Sequence, residues 1–290
     1  MANLKEIRNR ITSVGSTMQI TSAMKMVSAA KLKRAQDAIT QLKPYSNKLQ
    51  EILGNLSASM DVSENQLAAN RGDKNVLIVA ITSNRGLCGG FNNNIIKRIN
   101  LEIAEKYTES NVKILCLGKK AKDAFKRSEW YFDTADLAIP QDIFQDLSFA
   151  NSSLVAEFLM SSFLNKQFDQ IVVVYNSFIN AASQEVKVEN YLPLVPTVSE
   201  GGEAGDYIFE PSKEEIVEDL IPKSLKIQLF KGLLDSNASE HGARMTAMHK
   251  ATDNAKELQK NLKLTYNKAR QAAITNEILE IVGGAEALNG

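Results

Sequence analysis

Both ends of the chain carry apolar residues at alternating steps of three and four. That repeat restricts the ends to long helices that must each bury a stripe. At the N-terminal end the positions read Leu4, Ile7, Ile11, Val14, Met18 and Thr21, and the register resumes at Leu32, Ala35, Ile39, Leu42, Ser46, Leu49, Leu53 and Leu56. Such spacing is the pattern of a coiled-coil seam. Lys25 and Ser28 fall in register between the two halves and are expected to break the seam. One helix of about 55 residues would be roughly 80 Å long. Pro44 lies inside it and, lacking a backbone donor, is expected to kink or interrupt it.

The C-terminal end behaves alike. Pro222 is its last proline, and after Lys223 only Gly232 and Gly242 weaken a helix. Its stripe runs through Met248, Ala251, Ala255, Leu258, Leu262, Tyr266, Ala269 and Ala273, and its alanines let a partner helix come close. Gly283 and Gly284 predict the stop. Two striped helices at opposite ends bury both stripes most economically by pairing antiparallel, with the intervening residues folded as a domain at one end.

The middle has a different period. NVLIVAITS (75–83), VKILCLG (112–118) and QIVVVYN (170–176) are short, β-branched apolar runs, as expected of strands buried on both faces of a parallel sheet. Helical stretches fall between them at Asn92–Lys106, Lys119–Phe125 and Ser152–Asn165. This alternation predicts a Rossmann-like α/β domain. EVKVENYLPL (185–194) adds a further strand at an edge, while 57–73 reads as a polar linker and 199–206 as a loop. The expected division is 1–57 and 211–290 as paired coiled-coil helices, with 74–198 as the α/β domain.

Charge and composition narrow the function. Residues 1–58 hold nine Lys/Arg against three Asp/Glu, so the N-terminal arm is basic and suited to an acidic partner or to a solvated face. Residues 59–210 hold 14 basic and 20 acidic side chains, which disfavours a nucleic-acid groove there. No apolar run approaches the ~20 residues of a membrane span. MANLKEIRNR has no apolar signal core, and Cys88 and Cys116 form no CxxC pair, so a cytosol-like, reducing compartment with buried thiols is expected.

The segment SNRGLCGGFNNN (83–94) follows a strand and opens a helix, where phosphate-binding loops sit. Its glycines match neither GxGxxG nor a P-loop, so a tight turn is the better reading. Cys88 has no base in prospect, since His241 and His249 lie on the C-terminal helix, eight residues apart and outside metal-pair spacing. Glu214, Glu215, Glu218 and Asp219 read as an acidic helix start near Pro211. No catalytic, cofactor-binding or metal set emerges. Lys25, Lys31, Lys33 and Arg34, beside Met24 and Met26, instead mark either a contact zone or an exposed face.

Several motifs together resemble the gamma subunits of F-type ATP synthases. They are IRNRITSVGSTMQITSAMKMV (7–27), RGLCGGFN (85–92), SEHGARM (239–245), ATDNA (251–255), YNKARQA (266–272) and ITNEILEIVGGAEA (274–287). The resemblance covers essentially the whole chain. It implies a rotor shaft whose terminal helices thread a 3:3 ring of alpha and beta subunits, with the α/β domain at the foot against epsilon and the c-subunit ring. ATP chemistry would belong to the beta subunits, and this chain would be non-catalytic. Membrane contact would come only through partners, at the cytoplasmic face of a bacterial inner membrane.

Carried over residue by residue, the resemblance places Met24, Lys25, Lys31, Lys33 and Arg34 against the beta subunits. Arg270 and Gln271 fall at the upper contact, where a charge-assisted hydrogen bond would latch each step, with Thr275, Glu277 and Glu280 in the same region. Arg244 takes a shaft position. Phe209 and Glu210 fall in the foot near the c ring, where Phe209 stands in place of a tyrosine common in the family. The competing expectations are a non-rotary coiled-coil adaptor and a nucleotide-binding α/β enzyme.

Overall fold

A computed structural model of the chain describes residues 4–59, 66–135, 137, 139–194 and 213–289. Its elements are, in order, α1 (Leu4–Ser59), a 3-10 turn (Gln66–Ala68), β1 (Asn75–Ile81), α2 (Phe91–Glu105), β2 (Asn111–Leu117), α3 (Lys119–Phe125), α4 (Phe149–Leu164), β3 (Gln170–Phe178), β4 (Gln184–Leu192) and α5 (Lys213–Asn289). The chain forms two compact units. One is made of Met1–Ser28 with Met245–Gly290, and the other of Ala29–Arg244.

The first unit is a pair of helices. The hydroxyls of Thr21 and Thr252 meet at 2.8 Å. Earlier on α1 and later on α5, a Cβ on Gly15 would lie 2.8 Å from Nε2 of Gln259. The opposed order of these two pairs makes the pairing antiparallel. The seam follows the sequence stripe, with one correction on each helix. Ser28, expected to break the seam, is buried, because its hydroxyl donates to the Met24 carbonyl at 2.8 Å and so enters without an unpaired group. On α5, Leu258 is exposed and Gln259 half-buried, because Gly15 leaves room opposite for the amide.

The second unit is a three-layer α/β domain. Its sheet has the order β2-β1-β3-β4, with β1 parallel to both β2 and β3 and β4 antiparallel at the edge. Strand alternation sends residues to both faces. Val76, Ile78 and Ala80 pack with Ile95 and Ile99 of α2 and Phe125 of α3. Leu77, Val79 and Ile81 pack with Val155, Leu159 and Phe163 of α4 and with Leu225, Leu229 and Leu233 of α5. Both faces are therefore covered, which explains the unbroken apolar runs Val76–Ile81 in β1 and Ile171–Val174 in β3.

The expected polar linker 57–73 is not wholly outside the fold. Leu67 is buried in the core, and its carbonyl accepts from Leu194 N at 2.9 Å. Pro44 does not end α1, which continues to Ser59. The buried Ser46 and Leu49 hold the following turns in place, and that tertiary packing outweighs the lost donor. Likewise α5 contains Pro222 and starts at Lys213, and it runs past Gly283 and Gly284 to Asn289. The residues after those glycines, Ala285, Glu286, Ala287 and Leu288, are strong helix formers.

Candidate functional site

The glycine-rich segment sits where β1 ends and α2 begins. Ser83 N donates to Asn92 Oδ1 at 3.0 Å, Asn92 Nδ2 donates to Ser83 Oγ at 2.9 Å, and the same amide group reaches Cys88 Sγ at 3.2 Å. Asn176, at the end of β3, donates from Nδ2 to the Phe91 carbonyl at 3.1 Å. Gly89 has φ +59 and Leu87 φ +63, so the chain reverses tightly here. The leucine adopts a backbone that costs a branched side chain energy. Burial pushes the Cys88 thiol up, against the lowering effects of Ser83 and Arg244, so it is a poor nucleophile. Burial similarly raises the Cys116 thiol to about 12.

Arg244 comes to this loop from α5. Its Nη2 donates to the Arg85 and Gly86 carbonyls at 3.0 and 3.2 Å, and Nε donates to Gly86 O at 3.3 Å. Its Nη1 donates to Glu240 one turn earlier and lies 3.5 Å from His241 Nδ1. At 7% exposed, this residue lies inside the fold and not on an open helix face. Burial raises the Glu240 carboxyl, opposed by Arg244. Burial, then the charges of Arg244 and Lys31, hold His241 down at about 4, so the imidazole is neutral near pH 7.

The other sequence-derived residues fall on exposed or half-exposed helix surface. In the helix pair, Met24 and Lys25 are half-buried beside exposed Met26 and Val27. In the α/β unit, Lys31, Lys33 and Arg34 are exposed, and Lys33 forms a surface pair with Asp37 at 2.9 Å. Arg270, Gln271, Thr275, Glu277 and Glu280 are all exposed on α5, and the Thr275 hydroxyl donates back to the Gln271 carbonyl at 3.0 Å. Phe209 and Glu210 lie outside the described residues.

Sequence reasoning missed the apolar surface around those polar residues. Ile274, Ile278, Leu279, Ile281 and Val282 are all exposed, Ile281 by 68%. Ile274, Ile278, Ile281 and Val282 recur at helical spacing, which puts them on one side of α5. The signal was available, because the apolar period continues past Ala273. Among the described residues there is no metal-ligand cluster, and no helix is long and apolar enough to cross a membrane.

A long antiparallel helix pair joined in sequence to a mainly parallel α/β domain, with an uncovered apolar stripe near the end of the longer helix, defines a stalk-type subunit. Residues 3–288 match the ATP synthase family profile. The chain is 60% identical to the ATP synthase gamma chain of Christiangramia forsetii, over 100% of both chains. It is 61% identical to that of Flavobacterium johnsoniae, again over 100% of both. Its fold is similar to a chain of the Euglena gracilis mitochondrial ATP synthase, at TM-score 0.66 and 22% identity, covering 98% of this chain and 94% of that one. The chain belongs to the ATP synthase gamma-chain family.

Proposed function

We propose that this chain is the central rotor shaft of a bacterial F-type ATP synthase. It couples ion flow through the membrane sector to ATP synthesis or hydrolysis at the beta subunits. The observation that carries the reading is the exposed Ile274–Val282 stripe. Five large apolar side chains on an isolated helix surface are costly in water, and they suit a helix enclosed by other subunits. Around them the exposed Arg270, Gln271, Thr275, Glu277 and Glu280 supply hydrogen-bonding groups to the same surrounding surface.

In this reading Met24 to Arg34 meets the beta subunits, and their acidic surfaces complement the basic arm. The α/β domain forms the foot, where Phe209 and Glu210 face the c ring and epsilon. Nucleotide chemistry takes place on beta, and this chain is non-catalytic. Attachment to the cytoplasmic face of the inner membrane is peripheral, through partners.

Co-purification tests this. A tagged chain expressed with its operon partners should bring down alpha, beta and epsilon in a ratio of three to three to one per gamma. Recovery of the chain alone, or as a homodimer, would overturn the rotor reading in favour of an adaptor. Micromolar nucleotide binding by the isolated chain would favour an enzyme.

A further inference from the structure

The sheet order places β1 between β2 and β3, so the chain winds first one way and then the other from β1. In open α/β sheets, the crevice outside the strand ends at such a reversal is where small ligands are taken, usually by the loop after β1. Here that position is filled by the chain itself. At that end of the sheet, Ser239 Oγ donates to the Asn176 carbonyl at 3.0 Å. A Cβ on Gly242 would lie 3.2 Å from the Ala181 carbonyl. This contact line along α5 ends at Arg244, whose guanidinium fork takes the Arg85 and Gly86 carbonyls and the buried Glu240 carboxylate.

We propose that Arg244 is a built-in ligand of the α/β domain: its guanidinium occupies the crevice after β1 and latches α5 to the 83–92 loop. Three features distinguish this from incidental packing. The carbonyls of Arg85 and Gly86 both point at one guanidinium, and planar bidentate recognition is a property of arginine that lysine lacks. The carboxylate that balances its charge is itself buried, so the pair makes sense only when closed. Asn176 serves both sides, since its carbonyl takes the α5 hydroxyl of Ser239 while its amide holds Phe91 at the end of the loop. The latch keeps Leu87 in its left-handed conformation and the Cys88 thiol buried within the loop. Resting on the rotor reading, its consequence for coupling is that α5 and the α/β domain turn together at this level without slack.

Cys88 reports on the latch. In full-length chain carrying Cys116→Ser, Cys88 is the single thiol, and its maleimide labelling rate under native conditions measures opening of the loop. Arg244→Ala should raise that rate at least about tenfold. Millimolar ethylguanidinium should then slow it again, while ethylammonium at the same concentration should not. Glu240→Gln, which keeps the guanidinium on the carbonyls, should give a smaller rise, and Arg244→Lys a rise near that of alanine. Wild-type labelling in Arg244→Ala would overturn the proposal. So would an increase indifferent to ethylguanidinium in a variant whose circular dichroism is unchanged. If the alanine variant does not fold, wild-type rates in both Glu240→Gln and Arg244→Lys overturn it. Labelling is read on the chain alone, so its failure is separable from failure of co-purification, which tests the rotor reading.

Discussion

The hydroxyls of Thr21 and Thr252 lie 2.8 Å apart, each on the inner side of its helix, at a level where a coiled coil would ordinarily place two hydrocarbon side chains. Each also has its own carbonyl partner, Met18 O at 3.1 Å and Met248 O at 2.7 Å. The pair is therefore satisfied in more than one hydrogen arrangement.

Thr21→Val should cost about 1 kcal/mol, because it removes the cross-helix bond, and Thr252→Val a similar amount. The double replacement should cost less than the two single changes together, since two valines meet as hydrocarbon with no orphaned hydroxyl. Denaturant unfolding of the four-member cycle measures the coupling, and strict additivity would show that the bond carries nothing.

Two glycines make opposite predictions. At Gly118, φ is +118 and a Cβ would stand 2.1 Å from the Thr82 carbonyl, which the sheet holds rigidly through Thr82 N on Leu117 O. Gly118→Ala should destabilise by several times the ~1 kcal/mol of a tolerated glycine change. At Gly15 the clash is only with the tip of Gln259, which can swing away. Gly15→Ala should therefore raise stability by roughly 0.5–1 kcal/mol through helix propensity. Thermal unfolding of the two variants, read side by side, tests both.

Much of the fold was readable in the sequence because its periods are physically enforced. Val76 to Ile81 reads as a strand since both its faces are covered. The α1 stripe from Leu4 to Leu49 predicted the inward side of the helix, except at Ser28, which was expected to break the seam and is buried in it. What failed were local rules that tertiary contacts overrode, as at Pro44, where buried Ser46 and Leu49 keep the helix intact. Arg244 is the sharper case. An arginine on a helical stretch reads as surface, and nothing in its neighbours shows that two loop carbonyls some 158 residues earlier will take its fork. The tight turn at 85–90 was legible from its glycines, but not the partner that closes it.

His241 gives the latch region a pH signature. Unfolded, the imidazole takes a proton near pH 6.5, whereas in the fold it stays neutral down to about 4. Between those values the unfolded chain binds more protons, so stability is complete above pH 6.5, declines as pH falls to about 4, and loses nothing further from this group below that. His241→Gln should flatten that slope while leaving stability at pH 8 little changed. Denaturant midpoints measured from pH 4.5 to 8 decide it, and an unchanged slope would remove His241 as its source.

The exposed end of α5 separates folding from assembly. Ile274, Ile278, Ile281 and Val282 touch little in the isolated chain, so replacing Ile278 and Ile281 together by serine should shift its unfolding by no more than about 0.5 kcal/mol per site. If other subunits enclose that end, the same serines remove apolar area that assembly would bury. At about 25 cal/mol per Å² this weakens association by roughly 1–3 kcal/mol per side chain. On the proposed rotor reading, in which Arg270 and Gln271 contact the surrounding subunits, Arg270→Ala and Gln271→Ala should leave assembly intact but lower ATP-driven ion pumping relative to hydrolysis, because polar contacts specify position more than they hold. Native gels of the reconstituted complex read the first effect, and pumping in membrane vesicles reads the second. Serine variants that assemble as tightly as the parent, with alanine variants that pump normally, would move the working contacts away from this end of the helix.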